Sequence, residues 1–234
     1  MHSLGIISPE KIESLGEGFV SDGLLEARRL SWNALQEISL QIKPGMTERE
    51  ATVMADKLLR NAGSPRSWHR TRIRFGENTA LPYLDKGNPD RALTLGEIFF
   101  IDIGPNWKLS SFGNIEYEGD VGHTLIAGKG NSEYAECIKL AKQLFDEATR
   151  EWNRIKLTGT ELYGWVMKRA SELGYQIVPE DDGHRIGDFP HQRFSEKGLT
   201  EISFVPATYL WVLEIHLLHP SKRFGAFFED ILQN

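Results

Sequence analysis

A stretch of this chain recurs within it. Ile42-Lys43, Thr47-Glu48 and Val53-Met54 return as Ile155-Lys156, Thr160-Glu161 and Val166-Met167, six identities at a single offset of 113 residues. In each copy a long helical pattern, a turn containing glycine and a helix opened by threonine follow in the same order. Coincidence of a few identities is the alternative, but shared offset and shared order favour a duplication. Duplicated halves predict a pseudo-twofold architecture with a site between the halves. The expected organisation is a lead-in over 1–20 and one domain over 21–234, with halves of about 21–130 and 131–234.

The local patterns fill in this frame. Leu24, Leu25, Ala27, Leu30, Ala34, Leu35 and Ile38 recur at helical spacing from Asp22 to about Ile42. Pro44-Gly45 stops that helix. Thr47, with Glu50 three residues on, predicts a capping box for a second helix to about Asn61. Residues 70–75 alternate arginine with less polar residues, which predicts a strand with one basic face. Gly76-Glu77-Asn78 reads as a turn. A strand is expected over 95–104, a loop rich in Gly, Ser and Asn over 104–117, and a second strand over 121–128. Helices are expected over 132–155 and 160–173, and a strand-like region with turns over 175–234.

Bulk properties narrow the function. The chain has 234 residues and a formal net charge of −6, which argues against nucleic acid as a partner. Cys137 is the only cysteine, so neither an intrachain disulfide nor a cysteine-built zinc site is open to it. No apolar run approaches the roughly 20 residues of a membrane span, and the N-terminus lacks the basic start and apolar core of a signal peptide. A cytoplasmic protein without a membrane role is the expectation.

Five residues carry the chemistry: Asp102 in FFIDIGP, Asp120 in EGDVGHT, His184 in GHRIGDFPH, Glu214 in WVLEIH and Glu229 in GAFFEDIL. Four carboxylates and an imidazole have about the capacity of a two-metal hydrolase site. Asp102 and Asp120 lie on or beside consecutive strands, where close carboxylates repel unless a cation neutralises them; turn-capping aspartates are the alternative. His184 and His191 flank glycine and proline turns, and either a site or a hydrogen-bonded structural role suits them. Glu214 and Glu229 sit inside apolar runs, where a bare carboxylate is costly. They require a cation, which is either a metal or a buried arginine.

The order Asp, Asp, His, Glu, Glu and the motifs around it resemble the pita-bread metallopeptidases, which include methionine aminopeptidase, Xaa-Pro aminopeptidase, prolidase and creatinase. The resemblance covers about residues 22–232. It implies an α+β pita-bread fold, with pseudo-twofold halves and a curved antiparallel sheet flanked by helices. It implies two divalent metal ions (Mn, Fe, Co or Zn) on Asp102, Asp120, His184, Glu214 and Glu229, with Asp120 and Glu229 bridging. Glu214 would also act as general base toward a metal-bridging hydroxide, and His191 would contact the substrate and the tetrahedral intermediate, either donating to the oxyanion or holding the substrate backbone. The implied substrate is a short peptide, with Xaa-Pro bonds favoured by the GHRIGDFPH and EGDVGHT segments, and the resemblance leaves room for a homodimer. A creatinase-like hydrolase of a small non-peptide C–N bond and a non-catalytic peptide-binding module are the competing readings.

The sequence departs from the family in three places. The spacing from Asp102 to Asp120 is long, which reads as a loop insertion over 107–117 beside the site. Tyr83 stands where the family has a histidine, and His69 is the catalytic candidate to replace that histidine in space, with a surface histidine at a strand start as the alternative. Only about 20 residues precede the first long helix, whereas Xaa-Pro enzymes carry a large N-terminal domain. Arg70, Arg72 and Arg74 either hold a substrate carboxylate or form a solvated or ion-paired strand face. His123 and His216 either orient a ligand carboxylate or serve packing.

Overall fold

The structure is a computed structural model that describes residues 9–178, 181–191 and 197–233. Residues 1–8 of the expected lead-in lie outside the described residues. Five helices are present among the described residues: α1 Pro9–Ile12, α2 Ser21–Gln41, α3 Glu48–Asn61, α4 Ser132–Ile155 and α5 Gly159–Glu172. The strands are β1 Arg72–Phe75, β2 Ile98–Ile103, β3 Asn106–Leu109, β4 Ile115–Glu118, β5 Val121–Ile126, β6 Gln176–Ile177, β7 Val212–Leu218 and β8 Gly225–Ile231. No helix among the described residues is long and apolar enough to cross a membrane.

Six strands form one antiparallel sheet in the order β1-β2-β5-β8-β7-β6. The first three come from the first half of the chain and the last three from the second, so the halves meet at β5 and β8. That seam has two residue pairs in register, Gly122 with Glu229 and His123 with Phe228. Beyond them the Thr124 hydroxyl takes the place of a ladder rung. It donates to Phe227 O at 2.8 Å and accepts from Phe227 N.

The capped helix of each half recurs in the fold, at an offset of 111 rather than 113. Thr47 and Thr158 are the N-caps of α3 and α5, each with a complete capping box to Glu50 and Glu161. These positions are 111 apart. At that offset the buried faces also coincide, because Ala51, Ala55 and Leu59 correspond to Leu162, Val166 and Ala170. Val53, by contrast, is 63% exposed while Val166 is fully buried, so that matched pair points in opposite directions. Thr160 caps nothing. Its hydroxyl donates to Thr200 O and Ile202 O. Burial and caps, not letter identity, define structural equivalence here.

The expected loop over 104–117 is instead a hairpin. Trp107, Leu109, Ile115 and Tyr117 alternate with Lys108 and Glu116 across β3 and β4, which is the period of a half-buried strand. The Ser, Gly and Asn residues that suggested a loop form its turn, where Gly113 and Asn114 take positive φ values of 73° and 62°.

One face of the sheet is core. Helices α2 and α4 cover it with Leu24, Ala27, Leu35 and Ile38 from one and Ala141, Leu144, Phe145 and Trp152 from the other. The strands supply Ile101, Phe228, Leu213 and Ile215. Burying each such side chain contributes about 1.5–3 kcal/mol. The opposite face carries the polar centre.

Candidate metal centre

Strand register alone assembles most of the cluster. Arg72 pairs with Asp102, Asp102 with Gly122, Gly122 with Glu229, and Glu229 with Glu214. Directly paired residues share a face, so these five positions make one row across five strands. Gly122 is the gap in that row, since a Cβ there would collide with the Phe227 ring. Behind it lies an aromatic shelf of Phe100, Phe227 and His216, with centroids 5.3–5.7 Å apart. Asp120 joins the row from the residue just ahead of β5, and His184 reaches it from the loop between β6 and β7.

The five residues named from the sequence do converge. His184 Nε2 lies 3.0 Å from Asp120 Oδ2, 3.6 Å from Glu214 Oε1 and 3.7 Å from Glu229 Oε1. Two sets of donor atoms lie close enough to share an ion, His69 with Asp102 and Asp120, and Asp120 with His184 and Glu229. The first set includes His69, expected only as a substitute for the histidine missing at position 83. They line a cavity of 480 Å³ together with Trp68, Tyr83, His191 and Asp181.

The electrostatics are those of crowded, buried carboxylates beside two imidazoles: against burial, Asp102 and Asp120 raise His69 to about 9, and Asp120 and Glu229 raise His184 well above its ordinary value. Burial, then Asp120, pushes Glu229 well above the usual carboxylate range, and burial with Glu229 does the same to Glu214. Burial raises Asp102 to about 6 against the pull of His69. Asp120 is lowered despite its burial, because His69 and His184 flank it. Glu229 Oε2 is buried without a hydrogen bond among the described residues, where buried acceptors are normally paired, and Asp120 Oδ2 meets only His184 Nε2 at 3.0 Å. No arginine pairs with Glu214 or Glu229 among the described residues, so the buried-arginine alternative does not describe them. An orphaned oxygen beside clustered carboxylates and imidazoles fits a divalent cation.

Several contributors escaped the sequence reading. Glu118, at the end of the hairpin, is 1% exposed and accepts from Gly187 N at 3.0 Å, from His191 N at 3.2 Å and from His191 Nδ1. The last strand of this hairpin thus holds His191 from behind through Glu118. Trp68 is a common wall. Its ring packs edge-on against His69, His184 and His191 with centroids 4.5, 4.7 and 5.0 Å away. An acid at an even-numbered position ending an alternating strand was the available signal for Glu118, hidden because the strand was read as loop.

The basic strand face divides in two. Arg74 is buried, and its guanidinium donates to the carbonyls of Leu81, Pro82, Tyr83 and Asp85 at 2.6–3.2 Å. It is neither solvated nor ion-paired; it shapes the loop that carries Tyr83. Arg72 stacks over the Tyr83 ring at 4.4 Å. His216 bonds Asp181 Oδ2 and Thr79 O, both at 2.7 Å, under the row. His123 lies on the core face against Trp32 and Phe228.

Comparison with known proteins agrees with this architecture. The model of metallopeptidase family M24 matches residues 22–233. No curated protein sequence matches the chain. Among solved structures, the prolidase from Pyrococcus furiosus superposes with a TM-score of 0.72 at 20% identity, covering 92% of this chain and 61% of that one. The X-Pro aminopeptidase from Thermotoga maritima gives 0.72 at 21%, with 92% and 60% covered. The Xaa-Pro dipeptidase from Bacillus anthracis gives 0.70 at 22%, with 90% and 57% covered. The chain therefore spans about three fifths of the length of these proteins, and they share with it the α+β pita-bread fold.

Proposed function

Because the chain belongs to metallopeptidase family M24, we propose that it is a dinuclear metal-dependent peptidase acting on short peptides, with Xaa-Pro bonds preferred. The observation that carries this reading is the convergence of Asp102, Asp120, His184, Glu214 and Glu229, with a buried Glu229 oxygen left unsatisfied among the described residues. In this reading the five residues hold two divalent ions drawn from Mn, Fe, Co and Zn. Bound there, such ions lower the pKa of a water and polarise the scissile carbonyl.

The chain's own groups do the rest. Glu214 ends the row, lines the cavity and has no basic partner besides His184 among the described residues. It accepts the proton of the attacking water and returns it to the leaving amine. His191 has a fixed polarity. Glu118 takes its Nδ1 hydrogen, and burial holds its pKa below the ordinary value. At neutral pH the ring therefore offers the cavity a lone pair at Nε2. It holds a substrate N–H instead of donating to the oxyanion. Tyr83, on the loop shaped by Arg74 and stacked under Arg72, is the hydroxyl donor on the cavity wall.

The test is hydrolysis of an Xaa-Pro peptide panel after reconstitution with each metal. Cleavage dependent on metal is expected, and Glu214→Gln should lower kcat by about 100- to 10,000-fold while circular dichroism and Tm stay native. Turnover of guanidino or N-acyl small molecules with no peptide cleavage would replace the peptidase reading. An unimpaired Glu214→Gln would remove Glu214 as the base.

A further inference from the structure

Two histidines in the cavity are set in the same way. His184 Nδ1 donates to the carbonyl of the next residue, Arg185 O, at 3.2 Å, and His69 Nδ1 does so to Arg70 O at 3.0 Å. A carbonyl only accepts, so each Nδ1 carries the hydrogen and each Nε2 of a neutral ring is a lone pair. Both lone pairs point at carboxylates. His184 Nε2 faces Asp120 Oδ2 at 3.0 Å, and His69 Nε2 faces Asp120 Oδ1 at 3.2 Å and Asp102 Oδ1 at 3.6 Å. Asp120 thus stands between the rings with one oxygen toward each. Trp68 braces both rings by the same edge-on contact.

Lone pairs aimed at carboxylate oxygens repel unless a cation lies between them; in the chain alone that cation is a proton on Nε2, and a metal ion held by the same atoms takes its place. A backbone carbonyl fixing Nδ1–H is also the usual way a metal-ligating imidazole is oriented. The close approach is provided for. A Cβ on Gly104 would collide with the His69 ring, so glycine at the end of the FIDIG segment is what admits the imidazole.

We propose that His69 is a sixth protein ligand of the centre, serving the ion on the Asp102 side as His184 serves the other. This rests on the dinuclear reading above. It reassigns His69 from the substrate-facing role expected of it, and leaves Tyr83 as the group in that role. With one imidazole on each ion, the donor set moves away from the all-oxygen sphere that suits Mn and toward Zn, Co or Fe.

X-ray absorption on the protein reconstituted with Zn(II), and separately with Co(II), counts the imidazoles. Two bound ions with an average of one imidazole each are expected. His69→Phe, which keeps a ring against Trp68, should halve that average and weaken one of the two binding events in calorimetry by about 100-fold or more. Two ions sharing only one imidazole in the unmodified protein would overturn the assignment of His69 and leave the dinuclear reading standing. Failure of the unmodified protein to take up metal would overturn both. Should the variant not fold, the count on the unmodified protein decides alone.

Discussion

Glu229 and Asp230 are neighbours on β8, both nearly inaccessible, yet their surroundings are opposite. Asp230 points to the core face, where Arg28 grips both its oxygens, Trp32 Nε1 donates at 3.2 Å and Ile231 N at 2.8 Å. Glu229 points to the cavity face, among Asp120, Glu214 and Asp102, and one of its oxygens bonds nothing among the described residues. Burial raises the pKa of both. Asp230 has a full cation, Arg28, on both its oxygens, whereas Glu229 has His184 Nε2 3.7 Å from one of its two. A buried acid that is saturated holds the fold together, here joining α2 to β8. One left unsatisfied by its own chain suits a cation that comes from outside, as the proposed function has it.

This contrast can be broken from either side. The largest effect should come from Arg28→Met, which strands Asp230 without a charge partner. Removing one member of a buried pair costs about 3–5 kcal/mol, and the lower end applies because Arg28 is partly exposed. Urea unfolding should show it, and a loss under about 1 kcal/mol would mean that Asp230 simply protonates. Glu229→Gln should act in the reverse direction in metal-free protein. Removing one of several clustered carboxylates relieves repulsion and should stabilise by about 1 kcal/mol, while metal no longer raises Tm as it does in the parent. A variant less stable than the parent in chelator would show that Glu229 is structural after all.

The smallest effect is a pH dependence on the core face. Burial, then Lys142, holds His123 below its ordinary value of 6.5. Between the lowered value and 6.5 the unfolded chain binds a proton that the folded chain refuses. Stability therefore falls as pH drops through that window and is unaffected above it. His123→Phe should flatten this decline. Parallel pH profiles of the two proteins would refute it.

Much of the fold was legible because its signals are local. Thr47 with Glu50 announced a capped helix, and the apolar spacing of 22–42 and 132–155 announced two long ones, within a residue or so of their ends. The hairpin over 106–118 was misread because its turn residues outweighed a short alternating pattern. The offset of the duplication was misread by two residues because letters were matched where burial should have been. In the site, the charged residues inside apolar runs were conspicuous one by one. Glu118 was not, since its partner His191 lies 73 residues away. Arg74 looked like surface, since the carbonyls that hold it belong to a loop whose path the sequence does not state.

From sequence alone, then, came the helices, the duplication, the pita-bread resemblance and a set of acids that burial would make untenable without a cation. Those conclusions depend on residue type and on spacing along one element. Which of two adjacent acids on β8 received the arginine, which nitrogen of His69 and His191 faces the cavity, and that Asp120 serves two imidazoles at once were decided by tertiary structure. The reason is geometric. Hydrogen-bond polarity and charge pairing depend on what a side chain meets across the sheet, and strand register sets that, joining residues as distant as Asp102 and Glu229 in a single row.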